Sequence, residues 1–184
     1  MSSESTQRLN PFPGLRPFSA EEDYLFFGRE AQTSELLGLL RAHRFIAVVG
    51  TSGSGKSSLV RAGLLPALHG GTMTQAGSSW EVLLTRPGGN PVANLARSVM
   101  AADLYDPEDD ESLPRVLATL NRSRQGLVEA IRQSDVPDDT NLLVVVDQFE
   151  ELFRFRQGGV AGQEAASAFV KLLLTASDQS ELPI

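Results

Sequence analysis

The chain has 184 residues, 41% of them apolar and 21% charged, and a mean hydropathy of −0.10. That fits one domain of roughly 150 residues with a short appendage and excludes disorder, collagen and coiled coil as whole-chain readings. Cysteine is absent, which excludes disulfides, thiolate metal sites and a cysteine nucleophile, and a net charge of −7 opposes loose binding to nucleic acid or an anionic membrane.

Residues 1–20 read as an extended N-terminal segment. The polar MSSESTQRLN lacks the basic and apolar regions of a signal peptide, and Pro11, Pro13 and Pro17 impose an extended path. Ser19 with the acidic Glu21 to Asp23 then starts a short helix. A helix is predicted from about 29 to 42, burying Leu36, Leu37 and Leu40, followed by RFIAVVG (44–50) as a short buried strand that glycine ends. Residues 56–68 predict a helix with Leu59, Gly63 and Leu64 on one side, its last turn ended or kinked by Pro66. The segment 70–79 is turn-rich. WEVLLT (80–85) reads as a strand stopped by Arg86-Pro87-Gly88-Gly89, and Pro91 suits a helix start.

Three helices are predicted next, at 91–104, 111–122 and 125–133, the second from Leu113, Val116, Leu117 and Leu120 at i, i+3, i+4 and i+7. DPEDDES between them is loop. NLLVVVD (141–147) is the most aliphatic, β-branched strand, FEELFRF continues into a helix, and a last helix covers 163–177. The longest aliphatic run, Leu142 to Val146, is far short of the roughly 20 residues of a membrane helix, so the expectation is a cytoplasmic chain with no membrane partner. Strands alternating with helices predict an α/β sandwich with a mostly parallel sheet and ligands at the carboxyl ends of its strands.

Gly50-Thr51-Ser52-Gly53-Ser54-Gly55-Lys56-Ser57 matches GxxxxGK[ST] between a predicted strand and a predicted helix. Glycines let such a loop wrap backbone N–H groups around a phosphate, and the helix start adds further unpaired donors. Lys56 would bridge β- and γ-phosphates, Ser57 would give its hydroxyl to Mg²⁺, and Ser58 would line the α-phosphate. Only Lys56 and Lys171 are lysines, so a lysine in this loop stands out.

A distant acid must complete the metal site. Asp147, ending the aliphatic strand, is the candidate, and it would hold Mg²⁺ through water. Glu150 and Glu151 lie close enough for one of them to orient or deprotonate an attacking water. No NKxD element for reading guanine is present, which favours adenine. Phe26-Phe27-Gly28-Arg29-Glu30 lies where a short element would close over a purine, although two phenylalanines by themselves read as core. His43, His69 and Trp80 read as structural, and Arg122, Arg124 and Arg132 as a solvated face.

In order, NPFPGLRPF, FFGRE, GTSGSGKSSLVRAGLLPAL, TRPGGNP and LLVVVDQFEELF resemble the STAND class of signal-transduction ATPases, in particular the bacterial "novel STAND" group often joined to WD repeats. The likeness spans about residues 10–175. It implies a three-layer P-loop NTPase sandwich for 21–184, with ATP or ADP and Mg²⁺ as cofactors. It also implies an adenine contact for Gly28 and Arg29. Asp-Gln-Phe-Glu-Glu-Leu further resembles the Asp-Gly-Leu-Asp-Glu-Leu of NACHT ATPases, which places the catalytic acid at Glu150 or Glu151.

In relatives the segment after Glu181 to Ile184 forms a sensor strand, and a last strand and a lid follow. The resemblance therefore implies a sheet lacking the strand between the phosphate-loop strand and the Asp147 strand. It also implies that the chain is a fragment or degraded copy whose partner is a C-terminal remainder (lid, WD repeats or another sensor region). Slow hydrolysis that resets a signalling switch is expected only of the complete protein. Two other classes stay open. One is a small-molecule kinase on the same loop; the other is a non-catalytic nucleotide-binding module that pairs into a homo-oligomer through uncovered sheet edges.

Overall fold

The structure, a computed structural model, describes residues 13–70, 79–102, 104–137, 139–155 and 159–184. The start of the N-terminal segment and most of the 70–79 loop lie outside these. Two compact units are distinguished, Met1–Thr72 and Met73–Ile184, and each is described by itself.

In the first unit a 3-10 turn, Ala20–Leu25, begins where Ser19 and Glu22 predict a helix start. The Ser19 N–H donates to Glu22 Oε2 at 2.9 Å, as in the S-x-x-E pattern. The Arg16 guanidinium donates to both Glu22 oxygens at 2.6 Å. The Arg16 bond and then the Ser19 N–H hold the Glu22 carboxyl down to about 2, from an ordinary 4.5. Helix α1, Glu30–Ala42, buries Leu36 and half-buries Leu37 and Leu40. Lys56–Ser58, Leu59–Leu64 and Leu65–His69 follow one another as one helical run, α2.

Pro66 does not end this helix. It lacks an N–H, and its ring crowds the carbonyl four residues back, which an ordinary α-turn would not tolerate. The run instead widens to π-helical bonding over Leu59–Leu64, with the Leu65 N–H reaching the Val60 oxygen. The last turn then closes at His69, whose Nδ1 lies 2.9 Å from the Leu65 oxygen.

The predicted strand at 44–50 is a correction. These residues belong to no ladder, and Phe45 and Val49 are exposed. β-branched residues favour extended backbone, but a strand exists only through a partner's hydrogen bonds. The sheet among the described residues has two strands, neither of them this segment.

The second unit is built on those two strands. β1, Ser79–Thr85, pairs in parallel with β2, Thr140–Val146, in a register that runs from Ser79 opposite Thr140 to Thr85 opposite Val146. The helices between them are α3 (Pro91–Ala101), α4 (Ser112–Arg122) and α5 (Gly126–Arg132), and α6 (Glu151–Phe155) and α7 (Val160–Asp178) follow β2. This confirms an α/β unit with a small parallel sheet. Leu83 of β1, Leu95 and Val99 of α3, Leu127 of α5 and Phe169 of α7 meet in one core with almost no solvent exposure. The Tyr105 hydroxyl donates to the Ala130 oxygen at 2.5 Å, and burial raises its pKa. The free edge of β2 meets the chain once more, where the Leu142 N–H donates to the Pro183 oxygen at 2.8 Å. Among the described residues no helix is long and apolar enough to cross a membrane.

Gly126 starts α5 where it crosses the end of α4. A Cβ there would lie 2.4 Å from the Thr119 carbonyl oxygen and 2.7 Å from Leu120 Cα, both backbone atoms. Gly126→Ala is therefore expected to destabilise the protein by about 1–3 kcal/mol, as overpacking does. Urea unfolding would show this as a lower midpoint with an unchanged slope.

Candidate functional site

Two clusters of candidate residues form, one within each unit. In the first, residues 50–58 fold back on themselves. Gly53 and Gly55 have φ of 76° and 83°, a left-handed conformation that side-chain-bearing residues rarely adopt. The Ser54 N–H donates to the Thr51 oxygen at 3.2 Å, and the Leu59 N–H donates to the Gly55 oxygen at 2.8 Å as α2 begins. A Cβ on Gly50 would stand 2.9 Å from Ser54 Oγ and 3.6 Å from Lys56 Cδ. The loop thus closes over a space that glycine leaves open.

Lys56 Nζ donates to the Gly50 and Thr51 carbonyl oxygens, both at 2.9 Å. The ammonium is therefore held over the loop by neutral acceptors, which an anion with greater charge would displace. Thr51, Ser52 and Gly53 are exposed, while Lys56, Ser57 and Ser58 are partly buried. The Ser58 hydroxyl accepts the Phe18 N–H at 3.2 Å and ties the proline-rich segment to the loop.

Arg29 joins this cluster, and Gly28 precedes it in the chain. Arg29 Nη2 donates to the Ser54 oxygen at 3.2 Å. Gly28, with φ of 81°, donates its N–H to Glu30 Oε1 at 2.9 Å, and that bond holds the Glu30 carboxyl below the usual range. The preceding phenylalanines divide. Phe26 packs on Phe18, with ring centroids 5.8 Å apart, whereas Phe27 is 76% exposed.

In the second unit the acids gather at the carboxyl end of the sheet. The Asp147 N–H donates to the Thr85 oxygen at 2.9 Å and extends the ladder by one bond. Arg86, the next residue on β1's side, donates through Nε at 3.2 Å and Nη2 at 2.9 Å to Asp147 Oδ2. The Gly88 N–H donates to Glu151 Oε2 at 2.9 Å. The Glu150 carboxylate is exposed and takes no hydrogen bond among the described residues.

The turn that holds these acids is itself held. Asn94 Nδ2 donates to the Arg86 and Pro87 oxygens at 3.2 and 2.9 Å, and Asn90 Oδ1 accepts the Ala93 N–H to cap α3, with Pro91 as its first residue. Gly88 has φ of 50°, and a Cβ there would lie 2.7 Å from Asn94 Nδ2. The Thr85 hydroxyl is buried without a hydrogen-bond partner among the described residues.

The sequence reading missed the grip of Arg86 on Asp147 and of Gly88 on Glu151. Only the turn residues Arg86-Pro87-Gly88 signalled it; the parallel register that pairs Thr85 with Val146, and so sets the residues after each side by side, comes from the structure. His43, His69 and Trp80 take no part in either cluster. Arg122 and Arg132 pair on the surface with Glu129 and Glu181.

A family model described as Novel STAND NTPase 1 matches residues 11–184. No curated protein and no solved structure matches the chain.

Gln148, directly after Asp147, has φ of 59°. It stands where the NACHT string carries glycine. A left-handed residue with a Cβ costs about 1–2 kcal/mol, part of which glycine loses again to unfolded-state freedom. Gln148→Gly is therefore expected to stabilise the protein by up to about 1 kcal/mol in urea unfolding.

Proposed function

The chain belongs to the Novel STAND NTPase 1 family, and from that premise we propose that it is the ATP–Mg²⁺-binding core of a STAND-type signalling switch. ATP and ADP would favour different arrangements of this core and the rest of the protein, and slow hydrolysis in the complete protein would reset it. The observation that carries the reading is the loop 50–58, whose ammonium is held over a space kept open by glycine.

The roles divide by chemistry. The loop's N–H groups and Lys56 bind the phosphates. Mg²⁺ takes few protein ligands and would neutralise charge on the phosphate oxygens; Ser57 is the candidate ligand of the first unit and Asp147 that of the second, each assigned by its own chemistry. Arg29, bonded to the loop at Ser54, and Gly28 before it would form an adenine-side element. Glu151 is committed to the Gly88 N–H and acts on the turn, so Glu150, exposed and with no carboxylate hydrogen bond among the described residues, is the better candidate to orient water.

Calorimetric titration with ATP and ADP, with and without Mg²⁺, tests the reading. Lys56→Ala removes a charged donor to phosphate and is expected to cost about 3 kcal/mol, roughly a hundredfold in affinity. Unchanged affinity in the variant would remove Lys56 from the site, and no binding by the folded parent chain would refute the function itself.

A further inference from the structure

The contact between Arg86 and Asp147 is more specific than a surface ion pair. Two nitrogens of one guanidinium converge on a single oxygen, Oδ2, at 3.2 and 2.9 Å. The Asp147 side chain is 10% exposed and the Arg86 side chain 45%, so the carboxylate is largely enclosed and the cation is the more exposed partner. Arg86 is placed for this by its backbone. The ladder bond between Asp147 and Thr85 levels the two residues, Asn94 holds the Arg86 carbonyl, and Pro87 fixes the path onward. The neighbouring charges are already engaged, Glu151 on the Gly88 N–H and Arg97 on Asn94 Oδ1 at 2.7 Å.

A divalent cation approaching Asp147, directly or through its water shell, needs acceptor capacity on that carboxylate. It also gains most from an unneutralised charge. Arg86 occupies Oδ2 and offsets the charge.

We propose that Arg86 is a built-in competitor of the metal: it neutralises Asp147 in the metal-free state, and loading of the site breaks the Arg86–Asp147 pair. The inference rests on the reading of Asp147 as a metal-holding acid. Its consequence is a threshold, because the apparent metal affinity is the intrinsic affinity reduced by the fraction of molecules in which the pair is open. The Arg86 side chain is 45% exposed, so in its absence water reaches Asp147 and the fold is expected to persist while that fraction changes.

The test is titration of the full chain with Mn²⁺ in the presence of ADP, read by electron paramagnetic resonance, with folding checked by circular dichroism. Arg86→Gln keeps much of the side chain's bulk, removes the charge, and is expected to tighten Mn²⁺ binding about fivefold, the upper end of what a pair with one exposed partner supplies. Arg86→Lys keeps the charge without the forked donors and is expected to fall between Arg86→Gln and the parent. Asp147→Asn is expected to weaken binding at least tenfold, and adding Arg86→Gln to it should give no gain. If Asp147→Asn weakens binding but Arg86→Gln leaves it unchanged or weaker, the competitor role is overturned and the metal-holding role of Asp147 stands. If Asp147→Asn binds Mn²⁺ like the parent, or the parent binds none, the reading of Asp147 falls and the proposal falls with it.

Discussion

The parallel ladder between β1 and β2 governs the chemistry of the second unit, because its register decides which residues leave the sheet together. Thr85 lies opposite Val146, and the next bond, from the Asp147 N–H to the Thr85 oxygen, carries the pairing one step past both strands. Arg86 and Asp147 therefore emerge side by side from a core in which Leu83 and Leu142 are almost fully buried. A slip of one residue would turn every side chain of one strand to the opposite face, so the buried aliphatic residues of β1 and β2 hold the charged pair in place indirectly. The turn through Pro87 and Gly88 then reaches Glu151, and one short connection organises both acidic groups.

The first unit solves a different problem. A chain with a net charge of −7 repels a polyanion at long range and must gather donors locally to bind one. In the proposed function the loop 50–58 would do so with backbone N–H groups and one lysine, and α2 behind it widens around Pro66 instead of breaking, which keeps the helix continuous from the loop to His69. Arg29 adds a second cation by its bond to the Ser54 oxygen. The positive φ of Gly53 and Gly55 and the two Lys56 bonds give this element a defined local geometry, on which the proposed phosphate site rests.

Most of this was legible in the residues. Amphipathic spacing located α1, α4 and α7 to within a few residues, Pro91 marked the start of α3, and glycine spacing marked the loop. The failures share a cause. RFIAVVG has the composition of a strand, yet its ladder depends on a neighbour that its own residues do not specify. The π-helical widening depends on how the turns before Pro66 repack, and the Arg86–Asp147 pair on a register between segments some sixty residues apart, of which Arg86-Pro87-Gly88 shows only the turn. Local pattern encodes local structure, whereas partners across the fold come from packing.

Hydrogen exchange of the chain with and without ADP and Mg²⁺, read peptide by peptide, tests the central claim most directly. If the loop's backbone amides bind phosphate, exchange slows across residues 50–58 on adding nucleotide, since those N–H groups become bonded and shielded. Nucleotide binding with no added protection in 50–58, or with protection confined elsewhere, would contradict the account.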